Sequence, residues 1–367
     1  MDAIEQLGPT IAARSAEIEE ARTLPLDIVR DLSRAGLCKL FVPRRHGGGE
    51  CSPAEGLRVT EALAWYDGST AWCQMIAMTT GVLGGFLPRA QADAIYGSDD
   101  AITGGFAAPV AAAATVDGGL SVTGRWQWGS GIRHCTTIGG GVRLERGTAF
   151  AFFDPADVDI LDTWHVAGLK GTGSTDYQVD GAFVAEGRWV RLNVDPPVED
   201  GPLYRFSFFG LLAIGVSSVA LGLARRSIDE LVELAGHKTP QGSSRPLADR
   251  APVQADIGAA EATLRAARAL LDDVIGDSWT TVVAGDRPSD EQRRAVRLAA
   301  THAAQGAAAV VDRMYTAAGG AAIFAASPLQ RVFRDVHVVT QHAITAPRTM
   351  ELVGRMKLGL DTDTRQL

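Results

Sequence analysis

The chain has 367 residues, of which 46% are hydrophobic and 21% charged, and its formal net charge is −8. A chain of this length exceeds what one hydrophobic core usually supports, so the sequence predicts two or three structural units in a globular protein. The acidic balance argues against nucleic acid as a partner, because proteins that bind nucleic acid carry clustered positive charge.

The four cysteines show neither a CxxC pair nor a histidine at the spacing of a zinc site: Cys38, Cys51, Cys73 and Cys135. We therefore expect buried thiols in a reducing, cytoplasmic setting. The first ten residues, MDAIEQLGPT, lack the basic and apolar regions of a signal peptide, which favours the same compartment.

The first region, residues 1–98, is predicted to be a helical domain. Pro25 precedes the segment LDIVRDLSRAG, in which Gly36 stands where a helix would end. Proline near the start and glycine just past the end are typical of helix termini.

The middle region, residues 99–200, is predicted to be an antiparallel β-barrel or sandwich domain. In TVDGGLSVTGRWQW a turn is followed by apolar residues at alternate positions from Leu120 to Trp128, which is strand spacing. The segment VRLERGTAFAFF repeats this pattern, with Arg146-Gly147 as the expected turn.

The third region, residues 201–367, is predicted to be a helical bundle. Its uncharged stretch 208–224 has 17 residues, the lower limit for a membrane span, and we interpret it as a buried core helix. Apolar residues then recur at spacings of three and four from Val253 to Val274, and Ser289 and Gln292 form a predicted capping box. The expected fold class is α+β: a helical domain, a β domain and a four-helix bundle.

The C-terminal third also carries polar residues at helical spacing. Arg331, Asp335, Val338 and His342 would share one stripe of a helix, and Arg331 could pair with Asp335. Taken alone, His342 is equally consistent with a core or interface histidine. His337 and His342 are too far apart in the sequence to bind one metal from a single helix.

Two common catalytic motifs are not matched by the glycine-rich segments. The tripeptide around Ser130 lacks the complete G-x-S-x-G elbow of hydrolases. The segment GLKGTGS does not have the G-x-G-x-x-G spacing of a nicotinamide dinucleotide site.

Five segments, in order, resemble the acyl-CoA dehydrogenase superfamily. They are LPLDIVRDLSRAGLCKLFVPRRHGGGE, DGSTAW, GRWQWGSG, GLKGTGSTDYQVDGAFV and GG…PLQRVFRD. The sequence is most similar to the oxygenase components of two-component (group D) flavin-dependent monooxygenases. The resemblance extends over some three hundred residues and implies the same three-part fold.

The resemblance implies a set of flavin-binding residues. Ser130 stands where relatives hydrogen-bond near flavin N5 or O4, and Trp128 where an aromatic side chain packs on the ring system. Gly319 and Gly320 match a Gly-Gly pair near the flavin phosphates of a neighbouring subunit. Phe106 falls on the loop whose backbone groups face the pyrimidine edge.

The resemblance also implies a choice of chemistry. Many dehydrogenases place a catalytic glutamate at the eighth position of the segment that begins here at Gly319, and that position is Ala326. An alanine cannot accept a proton, whereas His342 matches a histidine that the oxygenases place over the flavin. Both differences favour oxygenation over dehydrogenation.

The expected activity is that of an oxygenase component using reduced flavin (FMN or FAD) and O₂. A separate flavin reductase would supply the flavin, a C4a-hydroperoxide would form, and a small aromatic or polyketide-like substrate would be hydroxylated. His342 would either hydrogen-bond the peroxide or act as a base. The resemblance further implies a homotetramer built as a dimer of dimers.

Three alternatives remain open at this point. One is an acyl-CoA dehydrogenase with a relocated base, another is an amino-sugar N-oxygenase, and the third is a flavin-free binding protein on the same scaffold. Trp72, Trp128 and Phe324 are candidates for an aromatic substrate pocket.

Overall fold

The computed structural model describes residues 1–364, and its first part consists of helices. Leu32, Leu57 and Met75, from three of these helices, are among the residues of the large hydrophobic core. The helices are α1 (Asp2–Ala13), α2 (Ser15–Ala21), α3 (Leu26–Arg34), α4 (Pro53–Tyr66), α5 (Gly68–Gly81) and α6 (Arg89–Tyr96).

One mixed sheet of seven strands occupies the middle of the described chain. The strands are β1 (Thr103–Val116), β2 (Gly119–Gly129), β3 (Thr137–Arg143), β4 (Thr148–Phe153), β5 (Asp159–Leu161), β6 (Thr175–Ala185) and β7 (Trp189–Val190). Their order across the sheet is β5-β6-β2-β1-β3-β4-β7. The expected turn at Arg146-Gly147 connects β3 to β4, closed by the Leu144 amide donating to the Gly147 carbonyl.

The prediction that the β domain is wholly antiparallel is wrong for one strand pair. β1 and β3 run parallel, with Thr103 opposite Thr137, whereas the other described pairings are antiparallel. The cause is that β2 returns beside β1 and the chain then crosses to the other edge of β1 before β3 begins. Local alternation predicts strands but not their order.

The C-terminal part is the expected helical bundle, followed by one further helix. The helices are α7 (Phe208–His237), α8 (Ala251–Val283), α9 (Asp290–Ala318), α10 (Pro328–Thr340) and α11 (Arg348–Lys357). The Ser289–Gln292 capping box is confirmed at the start of α9. The alanine-rich face of α9 is fully buried, including Ala299, Ala303 and Ala307, and it packs on both α7 and α8.

The uncharged stretch that begins α7 is buried inside the fold, as expected. By length and composition alone α7 could cross a membrane, but 83% of its most apolar window is covered by the rest of the protein. Gly215 lies against Met75, and Gly222 lies against Ala64. The apolar surface of α7 is therefore covered by its contacts with α4 and α5 together with those with α9 and α10.

The predicted helical stripe that ends at His342 is only partly correct. Helix α10 stops at Thr340, so His342 lies beyond it, in extended backbone before a short 3₁₀ turn. The His342 side chain accepts a hydrogen bond from the Ile344 amide at 3.2 Å. This local bond to the backbone competes with continuation of the helix.

Close packing of α7 on α4 predicts a stability difference between two glycines of α7. A Cβ at Gly222 would overlap the Glu61 carbonyl oxygen, whereas a Cβ at Gly236 has open space. We expect Gly222→Ala to destabilise the protein by about 1–3 kcal/mol. The matched Gly236→Ala should be neutral or stabilising by up to about 1 kcal/mol. Denaturant unfolding measures both, and equal effects at the two positions would contradict the packing.

Candidate active site

Ser130 lies directly after β2, where the strand leaves regular geometry. The β2–β6 register shifts between Trp126 and Gly129, and Trp128 has a positive φ of 61°. Gly131 follows with φ 65°, a conformation that glycine adopts without a Cβ penalty. The irregular backbone turns the Ser130 side chain inward, and the residue is 6% exposed.

Trp72 holds the Ser130 hydroxyl from the helical side of the site. Asp67 caps α5 by accepting from the Thr70 amide at 2.7 Å, which fixes the start of the helix that carries Trp72. The Trp72 indole Nε1 donates to Ser130 Oγ at 2.9 Å. Because Trp72 is 6% exposed, this contact is part of the core as well as of the site.

A row of hydroxyl groups continues from Ser130 into the loop before β6. Ser130 Oγ and Ser174 Oγ are 2.7 Å apart, as are Ser174 Oγ and Thr172 Oγ1. Thr172 Oγ1 donates to the Leu169 carbonyl oxygen at 2.8 Å. The segment GLKGTGS thus supplies two polar side chains to the site. Sequence reasoning did not assign Thr172 or Ser174 a role.

Asp335 of α10 anchors the same loop. Its Oδ1 accepts from the Leu169 amide at 2.5 Å, and burial raises the pKa of Asp335 to about 7. The expected Arg331–Asp335 ion pair is wrong, because Arg331 Nε lies 3.5 Å from Glu19. The last helix of the predicted bundle therefore positions the Ser130 region through a backbone contact.

His342 lies on the other side of Trp72. The two rings meet edge to face, with centroids 5.6 Å apart. Burial, reinforced by the nearby Arg297 charge, lowers the pKa of His342 to about 4. The imidazole is therefore neutral at pH 7, and since Nδ1 accepts from the Ile344 amide, its proton is assigned to Nε2.

Trp128 and Phe106 form an aromatic pair beside Ser130. Their ring centroids are 5.4 Å apart in an edge-to-face arrangement, and Trp128 is 53% exposed. The Phe106 amide donates to the Tyr177 hydroxyl at 2.9 Å. That amide is thus engaged within the β domain, and the contribution of Phe106 to a bound ring would come from other atoms.

Gly319 and Gly320 lie at the end of α9, where the backbone is open. Neither glycine has an atom within 4 Å of the position a Cβ would take, and Gly319 has φ 56°. Ile323 and Phe324 nearby are each 66% exposed. Phe324 is thus exposed on this chain, whereas Trp72 is buried, so the three candidate pocket aromatics do not form one buried cluster.

His134 was not identified from the sequence, yet it packs under the Ser130 loop. A Cβ at Gly131 would lie 2.8 Å from His134 Nε2, so the ring fills the space that glycine leaves. Within residues 1–364 the buried Nδ1 atom of His134 has no hydrogen-bond partner. Burial lowers its pKa to about 4. Only its position four residues after Ser130 could have suggested this contact.

The residues around Ser130 fit a flat heteroaromatic ring with polar edges. Trp128 offers an exposed indole, and the Ser130 hydroxyl keeps one further hydrogen-bonding position besides its bonds to Trp72 and Ser174. An isoalloxazine has both a large π surface and ring nitrogens that hydrogen-bond at its edge. The donor set therefore fits a flavin.

Burial of the two histidines predicts that stability falls as the solution is acidified. An unfolded histidine titrates near pH 6.5, whereas His342 and His134 have pKa values of about 4. Between these values the unfolded chain binds protons that the folded chain does not, so the free energy of unfolding decreases as pH falls. We expect a loss on the order of 1–3 kcal/mol per histidine.

Urea unfolding of the parent and of His342→Gln at pH 7 and pH 4.5 measures this effect. The variant should lose less stability than the parent between the two pH values, because glutamine does not titrate. An identical pH dependence in both proteins would contradict a neutral, half-buried His342.

Comparison with known proteins identifies the family to which this fold belongs. The model of the acyl-CoA dehydrogenase N-terminal domain matches residues 6–90, and that of the acyl-CoA dehydrogenase C-terminal domain matches residues 214–347. The chain belongs to the acyl-CoA dehydrogenase family.

Relatives within this family are named as monooxygenases. The chain is 34% identical to an indole-3-acetate monooxygenase of Pseudomonas putida, over 95% of this chain and 90% of that protein. It is 29% identical to the flavin-dependent monooxygenase oxygenase subunit HsaA of Rhodococcus jostii, over 99% and 100% of the two chains. The structure of XiaF from Streptomyces sp., in complex with FADH2 and glycerol, superposes with a TM-score of 0.92 at 25% identity, over 98% and 95%.

Proposed function

We propose that this protein is the oxygenase component of a two-component flavin-dependent monooxygenase, which uses reduced flavin and O₂ to hydroxylate a small aromatic substrate. The observation that carries the proposal is that one indole, Trp72, contacts both Ser130 and His342. The relatives named as monooxygenases, one of them an oxygenase subunit, support the same activity.

Each residue of the site has a stated task in this proposal. Bound reduced flavin supplies the electrons that allow O₂ to be cleaved, so that one oxygen atom enters the substrate and the other leaves as water. Ser130 holds the N5 edge of the ring, and the exposed face of Trp128 packs against it. His342, with its proton on Nε2, donates a hydrogen bond into the site rather than accepting a proton there.

A dehydrogenase with a relocated base has less support. Ala326 is exposed and has no acidic side chain. In the described part of the chain, no carboxylate is hydrogen-bonded to Ser130, Trp72 or His342. Two buried carboxylates lie nearby, but each accepts from a backbone amide: Asp67 from Thr70, and Asp335 from Leu169. Removing a proton from an acyl thioester needs a free, positioned base.

The substrate class follows from the relatives and the aromatic side chains of the site. The name of the Pseudomonas putida relative specifies indole-3-acetate, a planar aromatic acid. Trp128, two residues from Ser130, offers exposed aromatic surface, and the buried Trp72 bonds to the Ser130 hydroxyl. Aromatic neighbours of this kind suit a planar substrate more than an amino sugar. We therefore propose a small aromatic compound, such as an indole or a phenol.

The assembly and its setting are also proposed here. Large apolar side chains remain exposed on the single chain, among them Trp128, Phe183, Ile323 and Phe324. Such residues often mark contacts between subunits, which supports a homotetramer in which Gly319 and Gly320 approach a neighbour's flavin phosphates. The expected setting is the cytoplasm, with a separate flavin reductase as functional partner and either FMN or FAD as the flavin.

The experiment supplies reduced FMN or FAD from a separate reductase and offers indole-3-acetate, 4-hydroxyphenylacetate and an amino sugar in air. Hydroxylated aromatic product is the expected result. Bleaching of bound oxidised flavin by acyl-CoAs without O₂ would support the dehydrogenase instead. Oxygenation of the amino sugar alone would support the N-oxygenase, and indifference to both flavins would support a flavin-free binding protein.

A further inference from the structure

Arg297 of α9 holds the short turn that begins just after His342. It is 6% exposed, and its Nη2 donates to the Ile344 carbonyl oxygen at 2.9 Å and to Thr349 Oγ1 at 3.4 Å. One guanidinium nitrogen carries two protons and can serve both acceptors. Arg297 therefore joins α9 to the turn Ala343–Thr345 and to the first turn of α11.

Ile344, whose carbonyl Arg297 holds, also orients the His342 ring. The Ile344 amide donates to His342 Nδ1 at 3.2 Å, and the Trp72 ring meets the imidazole edge to face. Nδ1 carries the only hydrogen bond that the imidazole makes within residues 1–364. The N–H of Nε2 is therefore available to a ligand.

The bond from the Ile344 amide requires a neutral His342. A neutral imidazole has one nitrogen that accepts, whereas an imidazolium carries a proton on both nitrogens. A proton on Nδ1 would face the Ile344 N–H, so the ring would have to turn away from it. Protonation would thus change the orientation of His342 as well as its charge.

Arg297 is also the charged group that acts on His342. Its charge reinforces the effect of burial, and together they hold the pKa of His342 at about 4. Burial, with Arg348 of α11 nearby, lowers the pKa of Arg297 to about 10, so Arg297 stays charged at neutral pH. The other elements at the ring are uncharged there: α5 contributes Trp72, and α7, which packs on the turn, has no charged residue in 208–224.

We propose that Arg297 is the positioning residue for His342: it braces the turn that supplies the Ile344 amide, and it places a positive charge beside the imidazole. The inference rests on the proposed function for its consequence, because there His342 donates a hydrogen bond at the reacting centre. Both effects of Arg297 preserve one contact, the bond from the Ile344 amide to Nδ1. While that bond is made, the proton of the ring stays on Nε2.

Titration of His342 in the flavin-free protein measures this effect without reference to activity. The seven histidines are labelled in their rings and followed by NMR, with His342→Gln to assign the signal. In the parent, His342 should titrate at about pH 4. In Arg297→Gln, which can still donate to the Ile344 carbonyl but carries no charge, it should titrate at higher pH. Arg297→Lys keeps the charge, so His342 should titrate close to its position in the parent.

Product formation should show the same order of variants. Each pH unit changes the ratio of protonated to neutral imidazole tenfold, so between pH 8 and pH 5 Arg297→Gln should lose about 2–10-fold more product per flavin oxidised than the parent. Arg297→Lys should keep the shape of the parent's profile. The matched control is Arg294→Gln, which removes a buried arginine of the same helix that pairs with Glu291. It should leave both the titration and the profile unchanged.

A His342 that titrates identically in the parent and in folded Arg297→Gln would overturn the inference. Thermal melting identifies a variant that is not folded. If Arg297→Gln is lost in this way, Arg297→Lys decides, and a His342 that titrates near pH 6.5 in it would overturn the inference.

The two measurements also separate this inference from the proposed function. If the titration of His342 shifts as expected but the parent hydroxylates no aromatic substrate, the proposed function fails and the assignment of Arg297 stands. If the parent hydroxylates aromatic substrates while the titration does not shift, the assignment fails and the proposed function stands.

Discussion

The substitution His342→Ala is expected to lower product formation about 10²–10³-fold while the affinity for reduced flavin changes little. A positioned side chain that hydrogen-bonds or moves a proton at the reacting centre commonly contributes about 10²–10⁴-fold. His342 has its Nδ1 occupied by the Ile344 amide, so the substitution removes an Nε2 donor from the site. Product quantified per flavin oxidised measures the loss.

His337→Ala is the matched control, because His337 lies on α10 and pairs with Asp312 at the surface. It should retain activity within about twofold. The pH profile gives a second check, since the low pKa of His342 predicts that activity persists well below pH 6. Full activity in His342→Ala, or a profile that falls at pH 6.5, would contradict the assigned role.

Ser130→Ala is expected to redirect the oxidising equivalents from product to hydrogen peroxide. The change removes the group proposed to hold the N5 edge. It also leaves the Trp72 indole N–H and the Ser174 hydroxyl without their hydrogen-bond partner. One lost hydrogen bond of about 1–1.5 kcal/mol corresponds to roughly a tenfold faster release of peroxide. Peroxide and product are measured together after addition of reduced flavin to aerobic buffer with substrate.

Ser130→Thr keeps the hydroxyl and should restore most of the coupling, whereas Ser218→Ala serves as a control. Ser218 is buried in α7 and donates to the Ile214 carbonyl, so it tests the loss of a buried hydroxyl elsewhere. A Ser130→Ala protein that converts substrate as efficiently as the parent would rule out the N5 role.

Much of the fold could be predicted because its signals are local. The capping box at Ser289, the turn at Arg146-Gly147 and the helix end near Gly36 each depend on residues within a few positions of one another. The parallel pairing of β1 with β3 depends instead on where a whole hairpin lies in the sheet. The alternation of apolar residues within one segment does not show which strand that segment will pair with.

The candidate site shows the same difference between local signals, which the sequence reveals, and long-range contacts, which it does not. Ser130 and His342 were singled out by resemblance, but the interaction that joins them runs through Trp72, 58 residues before Ser130. Thr172 and Ser174 lie in a segment that was noted for its glycines and for its family resemblance, but neither residue was assigned a role. The helical spacing that placed His342 beside Asp335 failed because a side-chain bond to the Ile344 amide accompanies the end of the helix.

The roles predicted for the site residues stay predictions, including those that depend on other subunits or on backbone contacts to the flavin. Gly319 and Gly320 lie in open space on this chain, as a contact with a neighbouring subunit would require. The amide of Phe106 is already bonded to Tyr177, so the predicted contact of its backbone with the pyrimidine edge is limited to other atoms of the residue.

Incorporation of labelled oxygen tests the central claim most directly. The protein is mixed with reduced flavin, ¹⁸O₂ and either indole-3-acetate or a phenolic acid. The mass of the product is then measured by mass spectrometry. The account predicts one ¹⁸O atom in the hydroxylated product, with the second oxygen atom appearing as water. Product that carries oxygen from water, or an aromatic substrate left intact while acyl-CoA is oxidised, would contradict it.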